Sequence, residues 1–139
     1  MNKVSTSVAE MYIDEDGILQ IRFFRGVEVT LQKAKEYYAV SNDLLNNQKS
    51  LVLVDASEDY EITEEAKAYG QTEEAMKNRI AVAFVTKSIA NQLMFNLYLK
   101  FYKPLVPMKM FSNKTVALNW LKSFYVMPGE KFELKKKKK

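Results

Sequence analysis

Two uninterrupted apolar runs constrain the fold of this chain more than anything else in it. Leu51-Val52-Leu53-Val54 and Ile80-Ala81-Val82-Ala83-Phe84-Val85 lack any polar alternation. Each therefore reads as a strand buried on both faces, the pattern of parallel sheets covered by helices. Helical signals follow in the right places. Thr30 caps a helix to about Asn46 or Asn47, with Leu31, Ala34, Tyr37 or Tyr38, Leu44 and Leu45 as its apolar stripe. Thr63-Glu64-Glu65-Ala66 and Thr72-Glu73-Glu74-Ala75 each pair a capping Thr with glutamates that suit the positive end of a helix, and Gly70 interrupts between them. Ser88 opens a helix to about Tyr102, stopped by Pro104. After a short strand at residues 108–111, Ser112 or Asn113 opens the last helix to about Tyr125.

Ahead of these runs, residues 8–14 and 18–25 alternate apolar and polar positions around Asp14-Glu15-Asp16-Gly17. That is a β-hairpin, with Gly17 free to take positive φ in the turn. The element order is β-β-α-β-α-β-α-β-α. It predicts a single α/β domain over residues 8–126, with a mostly parallel sheet, an N-terminal β-hairpin and about four helices.

The net charge of +4 has a simple origin. Residues 135–139 are five lysines, and without them the chain carries −1. Such a run repels itself and cannot bury, so residues 127–139 are expected to form a disordered basic tail. No aromatic or Arg residue is interleaved with the lysines, so a nucleic-acid surface is not expected, and contact with an anionic membrane is the weaker alternative to a solvated tail. The first ten residues hold no long apolar region, and no stretch approaches the ~20 apolar residues of a membrane span. The expected location is the cytoplasm.

Cys and His are absent, which removes disulfides, thiolate nucleophiles, imidazole bases and the common zinc sites. The four glycines are scattered singly, so neither a P-loop nor a dinucleotide fingerprint exists. The acidic groups Asp14, Glu15, Asp16 and Glu58, Asp59, Glu61 lack calcium-loop spacing and read as solvated turns. No catalytic residue, metal or cofactor is assigned.

Two sets of residues remain as candidate sites. Asp55 ends an apolar strand, where parallel sheets form ligand crevices, and Ser57 and Thr63 follow it. The competing reading is a turn-forming Asp and an ordinary helix cap. In the helix at residues 89–102, Ile89, Ala90, Leu93, Leu97 and Phe101 suffice for a core stripe, yet Met94, Phe95, Tyr98, Leu99 and Tyr102 remain. Met94, Phe95, Tyr98 and Tyr102 are therefore candidates for an interface, such as a homodimer contact, or for the wall of a ligand site. Completion of a small core is the alternative.

The opening strand pair around Asp16-Gly17-Ile18, the two apolar strands, and Phe111-Ser-Asn-Lys-Thr-Val-Ala-Leu-Asn-Trp120-Leu121 together resemble the SpoIIAA-like fold family, which includes the STAS domains. The ending is most similar to its uncharacterised STAS-like bacterial branch. The resemblance implies a regulatory module whose serine, in an Asp-Ser-Ser-Gly motif, is phosphorylated to switch partner binding. Here the matching stretch is Asp59-Tyr-Glu-Ile-Thr63-Glu-Glu65, without that motif, and Thr63 and Ser57 are the nearest hydroxyls. The expected function is a non-enzymatic regulatory or protein-interaction module with an unidentified protein partner, contacted through the Asp55 to Thr63 edge. The alternative is a protein that binds a small apolar or anionic ligand against the aromatic helix.

Overall fold

The computed structural model describes residues 2–125, so the basic tail lies outside the described residues. Its main sheet contains β1 (Val4–Ser5), β2 (Ala9–Ile13), β3 (Leu19–Phe23), β5 (Ser50–Asp55), β7 (Arg79–Val85) and β8 (Met108–Phe111), side by side in that order. The β1–β2–β3 pairings are antiparallel and the β3–β5–β7–β8 pairings are parallel. The hairpin turn is fixed by Asp14, whose Oδ1 accepts the N–H groups of Asp16 and Ile18 at 2.8 and 3.0 Å, and by Gly17 at φ +80°. A separate parallel ladder joins β4 (Glu28–Val29) to β6 (Glu61–Ile62). Strands β1, β4 and β6 have two residues each, too few to show periodicity.

Among the described residues, five helices complete the fold: α1 (Leu31–Leu44), α2 (Glu64–Tyr69), α3 (Glu73–Met76), α4 (Ile89–Phe101) and α5 (Lys114–Lys122). The count exceeds the expected four because the two Thr-Glu-Glu-Ala tetrads each start a helix of their own. Thr63 Oγ1 accepts the Ala66 N–H, and Thr72 Oγ1 accepts the Ala75 N–H, both at 3.2 Å. The last helix takes Asn113 as its cap, its Oδ1 accepting from Val116 N–H at 3.0 Å, and stops at Lys122 rather than Tyr125.

The β5 and β7 runs are buried from both sides, as their lack of alternation requires. Val52, Val54 and Val82 face a core shared with Tyr37, Tyr38, Ala66 and Met76 of α1 to α3. Leu51, Leu53, Ala81 and Ala83 face Ala117 and Leu121 of α5. The entry to β7 holds a buried cation. Arg79 donates to Ser41 Oγ at 3.0 Å and Asn42 Oδ1 at 3.3 Å, with its guanidinium 4.7 Å from the centre of the Tyr38 ring. Burial lowers its pKa, while the tyrosines Tyr38, Tyr37 and Tyr69 oppose that shift. Ser41 and Asn42 lie in the last turn of α1, whose negative dipole end suits a cation, so this contact clamps α1 to the sheet.

Candidate functional site

A cleft of about 650 Å³ opens beyond the carboxyl ends of β5 and β7. One wall is the loop after β5, including Ser57, Glu58, Asp59 and Tyr60. The other is the turn Thr86-Lys87-Ser88 with Asn91, Met94 and Phe95 of α4. The structure thus brings Ser57 from the first candidate set together with Met94 and Phe95 from the second.

Asp55 and Thr63 do not line this cleft, because local backbone needs engage them. Asp55 Oδ1 accepts the Ser57 N–H at 3.0 Å and so turns the chain out of the sheet. Thr63 holds the α2 cap, and its own N–H donates to Val29 O at 3.1 Å. Tyr60 stacks on Phe23 with ring centres 4.8 Å apart. Burial, and then the negative charge of Asp55, pushes its phenol pKa up to about 12. It remains a neutral phenol across physiological pH.

The turn after β7 is equally self-satisfied. Thr86 Oγ1 accepts the Ser88 N–H at 3.2 Å, and Ser88 Oγ caps α4 through Asn91 N–H at 3.1 Å. Among the described residues, no hydroxyl in the cleft is hydrogen-bonded to a carboxylate that would activate it. Lys67 and Lys87 line the cleft, but so do Glu58 and Asp59, so its walls favour neither sign of charge. Such a surface can recognise a ligand, and it holds no assembled nucleophile and base.

Helix α4 departs most from the pattern read in the sequence. The expected core stripe is its outward stripe: Ile89 is 66% exposed, Leu93 66%, Leu97 55% and Phe101 75%. The side towards the protein carries Gln92, Phe95, Asn96 and Leu99, all half-buried, and no α4 residue is fully buried. The cause is where the helix packs. It leans on β8, the last strand of the sheet, whose outer backbone groups need hydrogen-bond partners. Asn96 supplies them: its Oδ1 accepts the Met110 N–H at 3.3 Å and its Nδ2 donates to Met110 O at 3.4 Å. Phe95 packs on Phe84 with ring centres 4.9 Å apart.

The four aromatic-helix candidates accordingly separate. Phe95 points to the sheet and cleft. Met94 is both exposed and on the cleft wall. Tyr98 and Tyr102 stack on each other at 4.6 Å on the outer side, and the Tyr98 hydroxyl accepts a hydrogen bond from Gln71 Nε2. Sequence reasoning missed Asn96, although two amides at i and i+4, Gln92 and Asn96, mark the inward side of a helix on a sheet edge.

With this geometry in view, the comparisons define the class first: an α/β domain of SpoIIAA-like fold. A similar solved structure is an uncharacterised protein of the DUF3478 family with that fold from Shewanella loihica PV-4, at TM-score 0.59 and 17% identity, covering 85% of this chain and 98% of that one. The chain belongs to the family described as Domain of unknown function (DUF7793), which matches residues 11–125. A protein of unknown function from Arthrobacter sp. FB24 is 23% identical over 85% of this chain and 95% of its own, but at a TM-score of 0.33. No curated protein matches the sequence.

Proposed function

We propose that this domain is a bacterial, cytoplasmic, non-enzymatic interaction module that works by holding another molecule against α4. The observation that carries this reading is the reversed orientation of that helix. Six large apolar side chains, Ile89, Leu93, Met94, Leu97, Phe101 and Tyr102, are each more than half exposed, while two amides face the protein. Apolar surface of this extent on one element marks a contact site. Of the two hydroxyls considered for modification, Ser57 lines the cleft, while Thr63 Oγ1 holds a helix cap.

The test combines stability with surface binding. Leu93→Ser with Leu97→Ser should leave the thermal midpoint unchanged and abolish binding of an apolar fluorescent dye by the folded protein. A sharp fall in the midpoint would show that the face is packed in the native domain, and the reading would fail.

A second reading, capture of a small ligand, draws support from the cleft that joins Ser57 to Met94 and Phe95. Native mass spectrometry of the purified chain should then show a co-purifying molecule, and consistently empty protein removes this alternative.

A further inference from the structure

The charge around α4 indicates what kind of surface it meets. From residue 75 to residue 129 the sequence has no Asp or Glu, yet it carries Arg79 and seven lysines. Fifteen of the 17 acidic residues precede this stretch, so the small charge of the body is the sum of an acidic first half and a basic second half. Lys87 stands just before the α4 cap, Lys100 in its last turn and Lys103 just beyond its end. All three are exposed, and none has an ion-pair partner among the described residues. The acidic pair Glu58 and Asp59 shares the cleft with Phe95, on the sheet side of the helix.

We propose that α4 docks the protein on an anionic lipid bilayer. The helix lies in the plane of the interface, with Leu93, Leu97 and Phe101 at the acyl boundary and Lys87, Lys100 and Lys103 at the level of the phosphates. This rests on the reading of α4 as the contact surface and names the partner.

Three observations support a bilayer as the occupant. The first is the composition of the helix, whose broad exposed apolar face is flanked by lysines at both ends, so that apolar burial and attraction to anionic lipid can act together. The second is size. The outward side chains expose roughly 700–900 Å² together, above the ~300–600 Å² of the largest patch on a typical monomer. The third is charge. Two copies meeting through α4 would bring together lysines that have no ion-pair partner among the described residues, and these would repel, whereas anionic headgroups attract the same lysines. Spanning is not involved: the 13 residues of α4 reach about 20 Å, short of the ~30 Å hydrocarbon core. Among the described residues, no helix is long and apolar enough to cross a membrane.

The experiment is co-sedimentation of the full chain with vesicles of mixed phosphatidylglycerol and phosphatidylcholine, and with phosphatidylcholine alone. Binding should be at least about tenfold stronger to the anionic vesicles and should weaken with added salt. Leu97→Glu with Phe101→Glu should lower it about tenfold or more, and Lys100→Gln with Lys103→Gln by up to about thirtyfold. Replacing residues 135–139 by Ser should leave the dependence on Leu97 and Phe101 in place.

Two results overturn the proposal: no binding of the wild-type chain to anionic vesicles, or equal binding by the Leu97→Glu, Phe101→Glu variant, which would assign the effect to the terminal lysines. If vesicles fail but sedimentation velocity shows a dimer or a complex with an acidic protein that this variant dissolves, the bilayer assignment falls and the interaction module stands. If the variant instead unfolds the domain, α4 is structural and both readings fall.

Discussion

Helices α4 and α5 both lean on β8, and they turn opposite sides of themselves to the protein. In α5, Ala117 and Leu121 are fully buried against the β5 and β7 face, and Trp120 packs on Phe111 with ring centres 5.6 Å apart. Its outward residues are mostly polar, with Val116 the exception at 51% exposed. In α4 the two amides point in beside Phe95 and Leu99, and most of the large apolar residues point out. A sheet face offers side chains and rewards apolar packing, whereas a sheet edge offers unpaired N–H and C=O groups and rewards an amide. The same helical periodicity therefore means opposite things at the two places.

The largest test of this contrast is in α5. Leu121→Ala should cost about 3 kcal/mol in chemical denaturation, because a fully buried Leu leaves a cavity. A cost below about 1 kcal/mol would mean that α5 is not anchored by its apolar stripe.

The wall facing α4 can be loosened by pH. Tyr60 has a folded pKa of about 12 against 10.0 unfolded, so the fold favours the neutral phenol. Its contribution is complete below pH 10 and is lost as pH rises from 10 through 12. With solvent at the cleft mouth this amounts to about 2 kcal/mol. Tyr60→Phe should flatten part of the alkaline decline in stability. The remainder belongs to Tyr37, Tyr69 and Tyr125, whose pKa values burial raises in the same direction, and an unchanged profile would show that Tyr60 is solvated in the folded state.

Asn96 discriminates between the two packing modes directly. Asn96→Ala should cost about 1–1.5 kcal/mol and speed hydrogen exchange across α4. Asn96→Leu should fail to restore stability, since it cannot pair with Met110. A stabilised Leu variant would mean that α4 packs as α5 does. The smallest effect is expected for Leu97→Ser, within about 0.5 kcal/mol of wild type, because its side chain is already in solvent.

Much of the fold was legible from residues. The apolar runs at 51–54 and 80–85 gave the two central strands because burial on both faces leaves no polar alternation to misread. Thr30, Thr63, Thr72, Ser88 and Asn113 all serve as helix caps, each accepting a backbone N–H three residues on. The orientation of α4 was legible only in its amides Gln92 and Asn96, since hydrophobic periodicity carries no information on whether a helix meets a face or an edge. Asp55 and Thr63 stood at the right end of the sheet, but their side chains serve the backbone around them. The net charge of the body hid the separation of its signs, because a sum cannot report order along the chain.

Asn96 has a further consequence for how molecules of this protein meet one another. A sheet grows into a fibre when an outside strand pairs with an edge whose backbone is free. At β8 the Met110 N–H and C=O are both taken by one side chain, and the opposite edge, β1, is only two residues long. The chain can therefore carry a broad apolar helix at high concentration with little risk of strand-by-strand polymerisation. Asn96→Ala should show this as faster fibril growth on storage than Leu97→Ser, even though only the latter alters the exposed face.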